Sequence, residues 1–245
     1  MVEINDEMEL SLVIPAYNEE KRVLPVLDNY HNHLKNRLGN NFEIIVVPNN
    51  CTDRTPDIVS LYAENKPNIR VLNIPYYVGK GGAVMRGFAI AEGRHIGFVD
   101  ADNATHPIEF LKLYDTLSDN FNNHHGIIAS RKIKGAIVYP KRTPMQNLSS
   151  AIFNIKTRLL FGLKYKDTQC GAKLFKKDVA KFLVRNHTEK GWIFDVDMLY
   201  LCKKNKIRIL EYPIYWSDHV EHSKLTFLEG IKSVINLWKY RIKKL

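Results

Sequence analysis

Short apolar runs alternate with longer amphipathic stretches through the first half of the chain. The runs are Leu10–Pro15, Phe42–Val47, Arg70–Ile74, His95–Val99 and Gly126–Ser130. They are brief, rich in Ile and Val, and bounded by turn-forming residues, as strands covered on both faces are. Between them, Lys21–Arg37, Pro56–Asn65, Gly81–Ala91 and Pro107–Leu117 carry helical spacing. Asp53 or Thr55 ahead of Pro56 signals a helix start. The alternation predicts an α/β fold: a Rossmann-like, mostly parallel central sheet with right-handed crossovers and helices on both faces. Ligands in such folds sit beyond the carboxyl ends of the strands.

The second half has a different rhythm. Met145–Phe161 reads as a helix, Ala172–Phe175 as a short strand, Asp195–Asn205 as a helix and Ile207–Trp216 as extended. Leu225–Leu245 closes the chain as an amphipathic helix, with Leu228, Ile231, Ile235, Trp238, Ile242 and Leu245 spaced three and four apart. The expected division is one catalytic-sized domain over 1–225 and a basic helix over 226–245.

With 245 residues, 45% of them hydrophobic, the chain can bury one sizeable core. Cys51, Cys170 and Cys202 are odd in number and form no C-x-x-C, which argues against a disulfide framework or zinc site and fits a reducing cytosol. Glu3, Asp6, Glu7 and Glu9 interrupt any apolar leader. No apolar run approaches the ~18 residues of a membrane span. A cytoplasmic protein, soluble or peripheral on a membrane, is expected. The net charge of +10 is uneven, because Asn120–Lys166 holds no Asp or Glu. Arg131, Lys132, Lys134, Lys141, Arg142, Lys156, Arg158, Lys164 and Lys166 all lie there. Such a block attracts an anion (nucleic acid, a phosphorylated substrate or an acidic membrane), or is simply a solvated face.

The chemistry concentrates at strand ends. Ile96-Gly97-Phe98-Val99 runs into Asp100-Ala101-Asp102. Two carboxylates one residue apart converge only if the strand ends and the chain turns. There they suit a hard divalent cation, Mg²⁺ or Mn²⁺, that completes its shell with water and phosphate oxygens. The plain alternative is a cap for the next helix, since Asp102, Asn103 and Thr105 precede Pro107. Other strand ends give Pro15-Ala16-Tyr17-Asn18-Glu19 and Pro48-Asn49-Asn50-Cys51, and a third leads to Gly79-Lys80-Gly81-Gly82 opening a helix. Glycines there permit close backbone approach, and a helix N-terminus favours an anion. Together these ends describe a site for a nucleotide diphosphate and a metal.

Taken in order, the motifs closely resemble family 2 glycosyltransferases of the GT-A fold over nearly the whole chain. The later segments resemble the polyprenyl-phosphate (dolichyl-phosphate) hexosyltransferases: Ser130-Arg131, Asp167-Thr168-Gln169-Cys170-Gly171-Ala172-Lys173, Trp192-Ile193-Phe194-Asp195-Val196-Asp197 and Ser223-Lys224-Leu225. The Asp-Thr-Gln-Cys-Gly form is closer to the β-glucosyl than to the mannosyl enzymes. The resemblance implies an inverting transfer of a hexose, glucose favoured, from a nucleotide sugar (UDP-glucose, with GDP-mannose possible) to a polyprenyl phosphate. It implies that Pro15, Tyr17, Glu19 and Asn49 border the nucleoside, that Lys80 and Gly81 lie by its phosphates, and that Asp100, Ala101 and Asp102 bind metal and donor. It places Gln169 and Asp195 at the sugar, and Arg131, Ser223 and Lys224 at the acceptor phosphate. Asp102, Asp195 and Arg131 are the expected catalytic residues.

This sequence departs from the family where Pro48-Asn49-Asn50-Cys51 replaces Asp-Asp-Gly-Ser, and where Asn103, Ala104 and Thr105 supply no third metal ligand. A phosphate acceptor is already largely ionised near pH 7 and needs no strong base. A sugar hydroxyl acceptor would make Asp195 or Asp197 the base candidate. A nucleotidyltransferase is disfavoured because the first strand lacks a Gly-rich loop, and a nucleic-acid module because the basic block lacks interleaved stacking aromatics. Met145–Phe161 and the C-terminal helix pair apolar faces with cations, which fits either a membrane surface or packing on the core or a partner protein.

Overall fold

A computed structural model describes residues 8–119, 123–141, 143–189, 191, 193–217, 237 and 240–242, and of residues 145, 146 and 149 the backbone alone. Strands β1 (Leu10–Ala16), β2 (Phe42–Pro48), β3 (Ile69–Val71) and β4 (His95–Val99) are separated by helices α1 (Val23–Leu38), α2 (Thr55–Ala63) and α3 (Gly79–Ile90). After β4 come α4 (Pro107–Ser118), β5 (Gly126–Ser130), β6 (Ile137–Tyr139), α5 (Pro144–Phe161) and β7 (Ala172–Lys176). Then follow α6 (Lys177–Asn186), α7 (Phe194–Lys204), β8 (Ile209–Pro213) and β9 (Tyr215–Ser217).

Seven strands form one sheet in the order β3-β2-β1-β4-β7-β5-β8, and β6 pairs with β9 in a small parallel sheet. Within the large sheet, β7 alone runs antiparallel to both its neighbours, β4 and β5. The other pairings are parallel. Every residue of β1, β2, β4 and β5 is buried, as the unbroken apolar runs predict. Alternate side chains feed two cores. Val13, Ile45, Phe98 and Phe175 meet Phe88 of α3 and Phe194 of α7, while Leu12, Ile14, Ile44 and Leu174 join Leu27 and Tyr30 of α1 and Phe110 of α4.

Several expectations are corrected. β3 ends at Val71, and beyond it Leu72 N and Ile74 N still donate to Val46 O and Pro48 O of β2 at 2.9 Å each, while Ile74 forms an isolated bridge to Asn49. The α4 cap is His106, whose side chain accepts from Ile108 N, and not Asp102, Asn103 or Thr105. At α2 the cap position is Arg54, without a side-chain bond, and Asp53 instead accepts from Thr55 N (3.0 Å) one position inward. α3 begins two residues before Gly81, so Lys80 lies in its first turn. β6 and α6 have no counterpart among the predicted elements. β6 is three residues long and exists only through its distant partner β9, and α6 follows β7 with no intervening turn residue. Leu237 and residues 240–242 are helical, with Leu237 and Tyr240 buried. The rest of the expected C-terminal helix, together with Trp192, His219, His222, Ser223 and Lys224, lies outside the described residues.

Candidate active site

Three asparagines turn the chain at the carboxyl edge of the sheet. Asn18 after β1, Asn50 after β2 and Asn103 after β4 all adopt left-handed backbone, with φ of 55°, 51° and 58°. Asparagine tolerates this region better than most residues because its short amide bonds locally. Asn18 Oδ1 accepts from Thr52 N (2.8 Å), tying the β1 and β2 loops together. Asn49 is buried and donates through Nδ2 to Ala16 O (3.3 Å), so it also binds the two strand ends to each other. Pro15 is buried and Tyr17 is 54% exposed on the rim. Glu19 is engaged by Arg22, which donates to both carboxylate oxygens at 2.7 Å.

Asp100 and Asp102 sit just past β4, with the buried Ala101 between them. Asp100 N donates to Gly171 O (3.0 Å), and a Cβ on Gly171 would lie 2.1 Å from Asp100 Oδ2. Gly171 therefore leaves the space this carboxylate fills. Lys80 Nζ lies 2.5 Å from Asp100 Oδ1. Burial opposes the Lys80 charge, but Asp100, then Asp195 and Asp102, outweigh it and raise its pKa. Asp102 Oδ1 accepts from Ala104 N (2.9 Å), so this residue does organise the turn. Burial and the neighbouring Asp100 charge push the Asp102 carboxyl above the ordinary range. Gly81 serves packing: a Cβ there would meet Phe194 Cβ at 2.4 Å and Glu189 O at 2.7 Å.

A second layer comes from the late motifs. Lys173 of β7 is fully buried, and its ammonium lies 2.5 Å from Asp195 Oδ1 while donating to Cys170 O at 2.8 Å. Burial raises the Asp195 carboxyl, and Lys173 and Lys80 only partly pull it back. Arg131 grips the buried Asp167 with two side-chain bonds, Nε to Oδ2 at 2.7 Å and Nη2 to Oδ1 at 2.9 Å, and its guanidinium lies 5.2 Å from the Trp216 ring centre. Burial alone would raise the Asp167 carboxyl, but the Arg131 charge and bonds hold it well below the usual carboxylate range. Gln169 is half-buried in the loop between Asp167 and Cys170. Burial pushes the Cys170 thiol up to about 12, as expected of a packing cysteine.

Asp197 points elsewhere. It accepts from Thr188 N (2.9 Å) and Glu189 N (3.2 Å), lies 2.8 Å from His187 Nδ1, and accepts from the Tyr240 hydroxyl. Two residues along a helix from Asp195, it faces another side and ties Thr188, His187 and Tyr240 together, which leaves it a structural carboxylate and not a base. Lys173 and Asp167 stood in the quoted motif without a role. For Lys173 the signal is a cation between Ala172 and Leu174-Phe175 in an apolar strand, a residue type that is buried only when paired; Asp167, between Lys166 and Thr168, carries no such mark.

Among the described residues, no group of three His, Cys, Asp or Glu side chains forms a cage for a metal ion. Asp100 and Asp102 nevertheless fit a cation held largely by water and substrate oxygens. They are adjacent, their charges repel, and one already attracts the Lys80 ammonium.

A mostly parallel sheet with charged groups gathered beyond β4 and a glycine-rich helix start beside them defines an α/β enzyme of the GT-A kind. The chain belongs to the family described as Glycosyl transferase family 2, which residues 11–183 match. Its relatives include a dolichyl-phosphate β-glucosyltransferase of Trichomonas vaginalis, 34% identical over 94% of this chain and 70% of that protein. The enzyme of the same name from Saccharomyces cerevisiae is 33% identical over 95% of this chain and 74% of its own. The human one is 30% identical over 89% and 69%. Among solved structures, glucosyl-3-phosphoglycerate synthase from Mycobacterium tuberculosis, in complex with Mn²⁺, UDP-glucose and phosphoglyceric acid, superposes with a TM-score of 0.70. It is 19% identical, and the match covers 96% of this chain and 79% of that one. The same synthase with Mg²⁺ and UDP also gives a TM-score of 0.70.

Proposed function

We propose that this chain transfers glucose from UDP-glucose to dolichyl phosphate or a similar polyprenyl phosphate, with inversion at the anomeric carbon. The observation that carries this reading is the agreement in name of relatives 30–34% identical over about nine-tenths of the chain. The geometry supports a phosphate acceptor. Neither carboxylate considered as a base is free, because Asp195 is paired with Lys173 and Asp197 is enclosed by His187, Thr188 and Tyr240. A lipid phosphate needs no such base, since it is largely ionised near neutral pH.

Asp100 and Asp102 would hold Mg²⁺ or Mn²⁺, whose Lewis acidity supports departure of a diphosphate. Lys80, in the first turn of α3, adds positive charge where the donor phosphates would lie. Asp195, held by Lys173, orients the sugar hydroxyls. Arg131, made rigid by Asp167 and Trp216, presents a fixed guanidinium to the acceptor phosphate. Pro15, Tyr17, Glu19 and Asn49 border the nucleoside, and Ser223 and Lys224 stand as further acceptor-phosphate contacts. Three free thiols support a reducing, cytoplasmic setting. No helix among the described residues is long and apolar enough to cross a membrane. The lipid phosphate would be met at a membrane face.

The test is a donor–acceptor screen. Purified protein with Mg²⁺ or Mn²⁺ is offered UDP-glucose, UDP-N-acetylglucosamine or GDP-mannose, with and without a polyprenyl phosphate. Glucolipid formed only when lipid phosphate is present is the expected result, and Asp102→Asn removes it while preserving the circular dichroism spectrum. Transfer from another donor, or full turnover by Asp102→Asn, overturns the sugar or the site respectively.

A further inference from the structure

Helix α5 has two opposed apolar faces. One is built into the protein: Phe153, Thr157 and Phe161 are buried, with Phe153 and Phe161 in the core beneath the sheet. Asn154 Oδ1 accepts from both Thr168 N and Thr168 Oγ1 at 3.1 Å, and Lys132 Nζ donates to Ser150 Oγ at 2.5 Å. These bonds fix the rotation of α5 against the loop that carries Asp167 and against the residue after Arg131. The other face shows Leu148, Ile152, Ile155 and Leu159, exposed by 57%, 41%, 46% and 80%.

At about 100° per residue, these four fall within an arc of about 60°, opposite the buried face. Lys156 and Arg158 lie on either side of the arc, each about 80° from its middle. Four large apolar side chains in one stripe, facing outward from a helix that cannot rotate to hide them, call for a cover. The surrounding charge selects that cover. The stripe lies inside Asn120–Lys166, which carries nine Lys and Arg and no acid. An apolar stripe flanked by Lys156 and Arg158 on the same helix is complementary to an anionic bilayer interface, where the apolar side chains enter the acyl boundary and the long cationic ones reach back to phosphates.

We infer that the Leu148–Ile152–Ile155–Leu159 face of α5 docks in the interface of an anionic membrane. This deepens the proposed function and rests on it for the lipid acceptor, because the same helix is bonded to the loops of Arg131 and Asp167. Docking by α5 brings that end of the sheet to the bilayer, where a polyprenyl phosphate presents its head group.

The experiment uses the full chain and vesicles of phosphatidylcholine, alone or with about a third phosphatidylglycerol. The wild type is expected to co-sediment with the anionic vesicles, less so at high salt. The triple variant Ile152→Ser/Ile155→Ser/Leu159→Ser should bind about tenfold more weakly at unchanged thermal stability. Lys156→Gln/Arg158→Gln should lose about tenfold on anionic vesicles and nothing on neutral ones. Hydrogen exchange along α5 should slow further when anionic vesicles are added. Absence of wild-type binding, or equal binding by the triple variant, overturns the inference. So does a wild-type dimer that the triple variant abolishes, or a triple variant that loses thermal stability as a monomer, since a second copy or the chain's own remaining residues would then be the cover. Transfer to a short polyprenyl phosphate dispersed in detergent separates this from the function itself. It stays unchanged in the triple variant if the chemistry is right, whether or not the membrane face is.

Discussion

Lys173→Met tests whether the buried cation of β7 exists to hold Asp195. The ammonium is fully enclosed and lies 2.5 Å from Asp195 Oδ1, and the Asp195 side chain is only 7% exposed. Methionine fills a similar volume but leaves a carboxylate buried without its direct partner. Breaking such a pair from one side costs about 3–5 kcal/mol. Lys80 also acts on Asp195, so the lower figure, about 3 kcal/mol at neutral pH, is expected. The pH dependence identifies the cause. Burial raises the folded pKa of Asp195, and Lys173 is the largest influence opposing that rise. In the variant the folded pKa climbs further above the unfolded value of about 3.9. A carboxyl raised on folding loses stability as pH rises through the folded pKa, by up to about 1.4 kcal/mol per pH unit. The gap between wild type and variant should therefore be smallest near pH 4 and widen towards neutrality. Urea unfolding across that range measures it. The double variant Lys173→Met/Asp195→Asn should recover about 2 kcal/mol, because the unpaired charge is gone. A gap independent of pH, or a double variant no more stable than the single one, would mean that Lys173 acts only by packing, and the reading of Asp195 as a held, positioned carboxylate would fall.

Asp197 gives the opposite sign. Burial would raise its carboxyl, but His187, Thr188 N and Tyr240 bring it down to about 2. Its contribution of about 2 kcal/mol is complete above the unfolded pKa and is lost as pH falls from about 4 towards 2, so Asp197→Asn should cost that amount at pH 7 and flatten the acid limb of a thermal-melt series. Lys80→Met removes the cation 2.5 Å from Asp100 Oδ1. With nucleotide absent, Mn²⁺ binding followed by electron paramagnetic resonance should tighten about tenfold, and unchanged or weaker binding would show that Lys80 does not compete for that carboxylate.

Period and punctuation made much of this molecule legible. The strand limits at His95–Val99 and Gly126–Ser130 follow from apolar runs ended by Asp100 and Arg131, and the structure keeps them unchanged. The Asp100-Ala101-Asp102 turn and the basic loop of Arg131 were likewise visible as charges at strand ends. What stayed hidden depends on contacts distant in sequence. Nothing local to Ile137-Val138-Tyr139 marks a strand whose partner lies at Tyr215–Ser217. Nothing near Lys80 shows that it reaches Asp100. Asp195 and Asp197 look equivalent in sequence, and only the packing of α7 directs one to Lys173 and the other to His187 and Tyr240. Gly81 reads as a phosphate turn, yet the space its missing side chain leaves is taken by Phe194, 113 residues later in the chain.

The reversed strand β7 sets an order on biosynthesis. β5 reaches the rest of the sheet only through β7, and until β7 arrives one edge of β4 has no neighbour. From Val99 to Lys176 a ribosome working at about 5–20 residues per second takes about 4–15 s. Through that interval a nascent chain carries an open, largely apolar strand edge, the feature most prone to pairing with the wrong partner. A message truncated between the codons for Ser130 and Ala172 would leave both β4 and β5 in that state permanently. Such fragments should be cleared or aggregate, so this enzyme cannot be shortened from its C-terminal side past β7 and still leave a soluble half.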